Sequence, residues 1–349
     1  MSEETMPTSD TSASGFQSFF QKRELKFLFT KIPFKASSKP RTFADGSWAK
    51  VLKGHEAQVS ITINSGEFLG ECVGSITNVN DVLVNELSTL GMYPKPSGTI
   101  NIITIYASND FQSGYHYDGN PKEPPRTFSK VFEGTIDTAA ADYNSQPNPK
   151  LIFTARANGG FNFLPSKPVS FMGEVKVADI FQAIIANINS FFPADAPPIK
   201  VFQNLGVEAV EKNPYYRGDA AQQLAQCASN NHVDQGLENG ILSIWPQGKA
   251  PERKGSPQNR TLLLSYMTGM IGYPRYSQQG VIVETVYRND LNLTRPYYID
   301  SNIKKACGRY DHVIRITHNL SCLTAGGPWS SEIELSTFGT NKGFGSNGN

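Results

Sequence analysis

The chemistry that this sequence could carry starts with two histidines, His312 and His318, in the stretch "DHVIRITH". Six residues apart on a strand, their side chains share one face, and with a third ligand such a pair holds a metal ion. No H-E-x-x-H or comparable partner accompanies them, so polar residues at a strand edge are the plainer reading. Asp290 and Asp300, with Glu284 nearby, could serve a glycosidase as paired carboxylates. Turn-forming aspartates at strand ends account for them more simply. No G-x-S-x-G elbow supports nucleophilic catalysis. The spaced glycines of "SGEFLGECVGS" (65–75) lack the Lys-Ser/Thr ending and following helix of a phosphate loop. "KAPERKGSPQNR" (249–260) carries four basic residues near one carboxylate and reads as a solvated linker. Trp48, Trp245 and Trp329 could stack on sugar rings, but in strand-rich chains they more often anchor cores. The sequence therefore predicts no catalytic residue, no cofactor and no metal site.

Positioning any of these groups requires a scaffold, and the composition bounds it. The chain has 349 residues, 39% hydrophobic, long enough for two or three domains. Its 32 basic and 31 acidic residues leave a net charge of +1, which marks neither a specific nucleic-acid binder nor a membrane-surface protein. Cys72, Cys227, Cys307 and Cys322 are scattered without C-x-x-C spacing and read as free thiols in a reducing compartment. The start "MSEETMPTSD" lacks the basic and apolar regions of a secretory signal, and no run of about 18 apolar residues suggests a membrane span. Synthesis and retention in a cytoplasm is the expectation.

Along the chain the pattern divides into five parts. Residues 1–22 and 341–349 are polar and read as flexible tails. Residues 23–170 read as strand after strand, including "AQVSITINSG", "GTINIITIYAS", "SKVFEGTIDTAA" and "PKLIFTARANGG". A Pro-rich stretch at 118–128 within a longer loop, 111–128, breaks the series. Residues 171–256 form a small α+β region and linker. There Ile180, Phe181, Ile184, Ile185 and Ile188 make one helical stripe. A second helix starts near Asp219 with Leu224 and Cys227 inward, and Glu238-Asn239-Gly240 turns a hairpin. Residues 257–340 return to strands and do not visibly repeat the first β region. The expected fold class is mainly β, two antiparallel barrels or sandwiches flanking a mixed insert. In 268–291, Gly269, Gly272 and Pro274 shape a tight loop, and Val281, Val283, Thr285 and Tyr287 share one face of the strand that follows. Gly272→Val is expected to disrupt this second β region.

Four stretches in order carry a family resemblance. "TGMIGYPRYSQQGVIVETVYRNDLNLTRPYYIDS" (268–301) resembles the late segment of phage tail baseplate hub proteins, with its Gly-x-x-Gly-x-Pro loop entering a strand. "GDAAQQLAQCASNNHVDQGLENGILSIWP" (218–246) is similar to the family's short helix and hairpin. "FEGTID" (132–137) resembles the Phe-x-Gly-x-Ile strand of its first tube-like domain. "ITHNLSCLTAGGPWSSEIEL" (316–335) resembles its closing His-loop-Trp-strand pattern. The likeness spans about residues 24–338. It implies two tail-tube-like β-barrel domains, 23–170 and 257–340, around the mixed domain. It further implies a homotrimer whose six modules form a pseudo-hexameric ring between a six-fold tail tube and a three-fold central spike. The implied partners are other copies of the chain, tube and spike proteins, and tape measure and baseplate wedge proteins. The implied location is the virion tail. The alternatives are a carbohydrate-binding tail protein or a cell-wall hydrolase, although no lysozyme-like or peptidase-like extension is recognisable.

Overall fold

A computed structural model describes residues 23–35, 41–65, 70–89, 98–108, 128–144, 147–157, 164, 166–249, 251–252 and 261–337. Both tails, loop 111–127 and the basic part of the 249–260 linker lie outside these residues.

The first region contains β1 (Leu25–Pro33), β2 (Ala49–Lys53), β3 (Ala57–Asn64), β4 (Glu71–Thr77), helix α1 (Asp81–Leu87), β5 (Thr99–Ser108), β6 (Phe128–Asp142) and β7 (Lys150–Arg156). The middle contains β8 (Val169–Ser170), β9 (Glu174–Lys176), α2 (Val177–Asn189), β10 (Val201–Asn204), β11 (Val210–Lys212), β12 (Tyr215–Tyr216), α3 (Ala220–Asn230), β13 (Val233–Glu238) and β14 (Ile241–Pro246). The last region contains β15 (Leu262–Leu264), β16 (Met270–Tyr276), β17 (Gly280–Val286), β18 (Tyr297–Ile299), β19 (Gly308–Tyr310), β20 (Val313–Cys322) and β21 (Trp329–Ser336). The mainly β class with a mixed α+β insert agrees with the sequence reading.

Periodicity could not reveal how the two β regions join. Their long strands form one eleven-stranded antiparallel sheet in the order β16-β17-β21-β20-β3-β4-β7-β6-β5-β1-β2. The seam is β3 against β20, in register from Ala57 opposite Cys322 to Asn64 opposite Arg315. Side chains reinforce it: Ser60 Oγ donates to Asn319 Oδ1 at 2.9 Å, and Cys322 Sγ donates to the His55 carbonyl at 3.2 Å. Strand β20 also passes between two hydrophobic cores. Val313 and Ile316 belong to the core of the last region, whereas Leu320 and Cys322 belong to that of the first. Ile63, across the seam, packs on both. Separating the regions would expose both cores along this strand, so the seam is held by burial as well as by its backbone ladder.

The insert has its own core. The predicted stripe Ile180, Phe181, Ile184, Ile185 and Ile188 is buried against Leu224, Cys227 and the inner face of a three-stranded sheet, β10-β14-β13. Helix α3 starts with a capping box, in which Asp219 accepts from the Gln222 N–H at 2.8 Å and its own N–H reaches Gln222 Oε1 at 3.3 Å. The hairpin turns at Asn239 (φ 54°) and Gly240 (φ 83°), the paired positive angles that a tight two-residue turn requires.

The 268–291 stretch folds much as read. A short 3-10 turn, Tyr266–Thr268, ends at Gly269 in the left-handed region (φ 95°). Val281, Val283, Thr285 and Tyr287 are all buried. Gly272 also has positive φ (67°), but a Cβ there would meet nothing within 4 Å. Its substitution would carry backbone strain without a clash. The severe position is Gly280, where a Cβ would stand 1.9 Å from the Leu335 carbonyl oxygen.

Candidate interaction surfaces

The structure disperses the groups that might have formed a catalytic or metal centre. A bulge between Val313 and Arg315 interrupts the alternation that would have put His312 and His318 on one face. His318 lies in the core, its Nδ1 2.7 Å from Ser331 Oγ and its ring edge-on to Tyr287. Burial pushes its pKa down to about 4. His312 instead faces the insert, Nε2 3.0 Å from Asp234 Oδ2, without the alignment of a hydrogen bond. No group of three metal-ligating residues occurs among the described residues.

Asp290 is clamped by Arg288, whose Nε and Nη2 lie 2.9 and 2.8 Å from its two oxygens. Arg295 approaches the same carboxylate at 3.8 Å. The cluster fastens the loop after β17, because Arg288 also donates to the Thr268 carbonyl at 3.2 Å. Asp300 is exposed at the end of β18, its N–H donating to the Leu264 carbonyl. Glu284 stands on the sheet face between Ile271 and Glu332. Gly70 and Gly74 lead into and lie on β4, a strand rather than the helix of a phosphate loop. The tryptophans divide. Trp245 is fully buried and Trp329 packs edge-on to Tyr287 at 5.6 Å, but Trp48 is 68% exposed with the Arg41 guanidinium 5.6 Å from its ring. All four cysteines are free, and Cys307 is the one not fully buried.

What remains is surface. Among the described residues the sheet ends at β2 on one side and β16 on the other. Both edges are blunted against open-ended strand addition, by different devices. Strand β2 is five residues long and carries Lys50 and Lys53, paired with Asp45 and Glu24. Strand β16 is broken by a register shift between Ile271 and Arg275, where positive-φ Gly272 and Pro274 interrupt the ladder. Beside this edge the chain presents Tyr266, Met267, Tyr273 and Tyr276, between 60% and 77% exposed. Aromatic and Met side chains left in water over so short a stretch have the composition of a protein-contact patch. The alternation in the sequence marks the buried face of β17 and does not report on this neighbouring edge. The usable signal was aromatic residues placed beside Gly and Pro in a strand that the turn chemistry puts at an edge.

A second concave surface lies where the outer face of β1, β5 and β6 meets the loop after α2. It is a cleft of about 300 Å³ with Ile32, Ile102, Tyr106 and Phe192 in its walls. At its rim Glu133 is held by Lys130 at 2.8 Å and Lys200 at 2.5 Å. Burial alone would raise the Glu133 pKa, but the two ammonium groups bring it below its ordinary value. Lys200 thereby ties the insert to the first region. At the bulge in β6, burial pushes the Asp137 pKa up to about 6; Arg156, 3.2 Å away, opposes this and Glu71 adds to it.

No protein-family model matches the sequence, and no curated protein matches it. Solved structures do. The tail protein from Neisseria meningitidis MC58 aligns over 88% of this chain and 96% of its own, with 12% identity and a TM-score of 0.50. The 43 kDa tail protein of prophage MuSo2 from Shewanella oneidensis aligns over 90% of this chain and 98% of its own, with 12% identity and a TM-score of 0.52. In the lidded Francisella PdpA–VgrG complex, one chain aligns over 92% of this chain and 54% of its own, with 10% identity and a TM-score of 0.53. This chain therefore has a tail-protein fold, in agreement with the resemblance to phage tail hub proteins carried by its sequence motifs.

Proposed function

We propose that this chain is a structural protein of a phage-type tail, the baseplate hub, and that it works by assembly rather than by catalysis. The supporting observation is the eleven-stranded sheet, which locks two β regions of unlike sequence into one wall through the β3–β20 seam. Three copies of such a wall closing around an axis would offer six β regions to a six-fold tube while keeping three-fold symmetry for a central spike. The blunted sheet edges favour a closed, finite assembly over an open filament. The exposed tyrosine and methionine edge supplies contact area of the kind that protein partners bury. In this reading the partners are other copies of the chain, the tube and spike proteins, and tape measure and wedge proteins. The chain is made in the host cytoplasm and ends in the virion tail.

The test is the mass of the purified full chain, by sedimentation and light scattering across concentration. Three copies per particle are expected, and a stable dimer or a monomer at every concentration overturns the reading. A Tyr273→Ser, Tyr276→Ser double variant should weaken assembly, alone or with tube protein, while its melting temperature stays unchanged.

A further inference from the structure

The three-stranded sheet of the insert has two unlike faces. The inner one carries Val233, Leu237, Leu242 and Ile244 against the helices. On the outer one, Gln203, Ser243 and Gly236 are cross-strand neighbours in a single row over β10, β14 and β13. The loop between β17 and β18 roofs this row. Leu293 N–H donates to Glu238 Oε1 at 3.0 Å and clasps the roof to the sheet. Between them lies a pocket of about 220 Å³, lined by the row and by Glu238, Asn292 and Thr294. The hollow owes its depth to Gly236. A Cβ there would stand 2.8 Å from Leu293 Cδ1 and 3.2 Å from Trp245 Cη2, so a larger residue would have to displace the Leu293 side chain of the roof.

The two amide side chains of the lining, Gln203 and Asn292, have more hydrogen-bonding capacity than the described residues use. Gln203 Oε1 accepts from Ser243 Oγ at 3.3 Å, and Asn292 Oδ1 accepts from Thr294 Oγ1 at 3.3 Å. That leaves the two carboxamide NH2 groups directed to no partner among the described residues. Two amide donors, two hydroxyls and one carboxylate converge on a small space, with Ile241 and Leu293 as apolar flanks. An anion would meet the Glu238 carboxylate. A divalent cation would find no second carboxylate in the lining. Hydroxyl groups suit it, since each can accept from an amide and donate to a carboxylate or hydroxyl oxygen. The volume lies below the ~300–1,000 Å³ of drug-sized sites, which limits the occupant to a single ring.

We propose that this pocket, between the insert and the last β region, binds a neutral, hydroxyl-rich ring of monosaccharide size. The assignment does not depend on the assembly proposed above. The full chain is titrated with glucose, galactose, mannose and N-acetylglucosamine at millimolar concentrations, followed by calorimetry and by amide NMR shifts. At least one sugar should saturate, with shifts confined to β10, β14 and 292–294. Gln203→Leu and Ser243→Ala should each weaken that affinity about three- to tenfold, the effect of one lost hydrogen bond. Ser243→Ala removes a single oxygen and keeps the test readable if Gln203→Leu does not fold. The proposal is overturned if none of the four sugars saturates, if the shifts map elsewhere, or if folded variants bind as the parent does.

Discussion

The two β regions share a sheet but are built differently inside. The first fills its core with aromatic rings, including Phe27, Phe29, Phe132 and Phe153. The last uses aliphatic side chains and two buried tyrosines, Tyr297 and Tyr310, whose hydroxyls find backbone carbonyls at 2.9 and 2.8 Å. The first region ends its sheet with lysines, the last with a bulge and a proline. Unlike side-chain solutions therefore support one continuous backbone ladder, which is why the two halves show no repeat at the level of sequence. They share the antiparallel ladder, but neither strand order nor residue identity.

The sharpest way to break this comparison is at the glycines where strands pack closest. Gly280→Val should cost more than about 4 kcal/mol, because its Cβ would overlap the Leu335 carbonyl and neither strand can retreat without opening β17–β21. In the first region, Gly134→Ala would meet the Arg156 carbonyl oxygen at 2.6 Å and should cost less. Urea melts that ranked them the other way would refute Gly280 as the closer of the two strand approaches. Next comes the seam. Leu320→Ala empties a fully buried site and should cost about 2–5 kcal/mol. Because β20 serves both cores, probes in both regions should report one shifted transition. Two separate transitions in the parent protein would mean that the seam does not couple them.

Two buried groups, one in each region, have pH slopes of opposite sign. His318, with a folded pKa near 4 against an ordinary 6.5, is bound neutral in the core. Its contribution is fully present above about pH 6.5 and is lost as pH falls from there towards 4. Asp137, raised to about 6 from 3.8, works in reverse: its contribution is present below about pH 4 and declines as pH rises through 6. Stability-versus-pH curves of His318→Gln and Asp137→Asn should flatten those opposite slopes, each by a few kcal/mol at most. The smallest effect belongs to Gly272→Ala, about 1–2 kcal/mol of left-handed backbone strain with no clash. A loss as large as that at Gly280 would refute backbone strain as the sole cost at Gly272.

Much of the local structure was legible in the residues. The α2 stripe, the Asp219 cap, the Asn239-Gly240 turn and the alternation through Val281 to Tyr287 follow from periods of 3.6 and 2 and from turn chemistry. These rules act within a dozen neighbouring positions. The site was less legible. The sequence separated His312 from His318 by an even number, and a bulge undid that parity. It placed three tryptophans on equal footing, and only packing left Trp48 in water. The polar row Gln203–Ser243–Gly236 joins residues up to 40 positions apart, which no single-strand pattern displays.

By itself the sequence established the β, α+β, β order, the helix faces and turns, and the motifs that resemble tail hub proteins. It could do so because each depends on short-range geometry and on which side chains avoid water. The tertiary structure decided that β3 pairs with β20 across some 255 residues of chain. It also decided which edges end the sheet and which polar groups meet beneath the 292–294 roof. Those outcomes rest on ladder pairing and core burial between distant segments, and their free energy exists only once the segments are together.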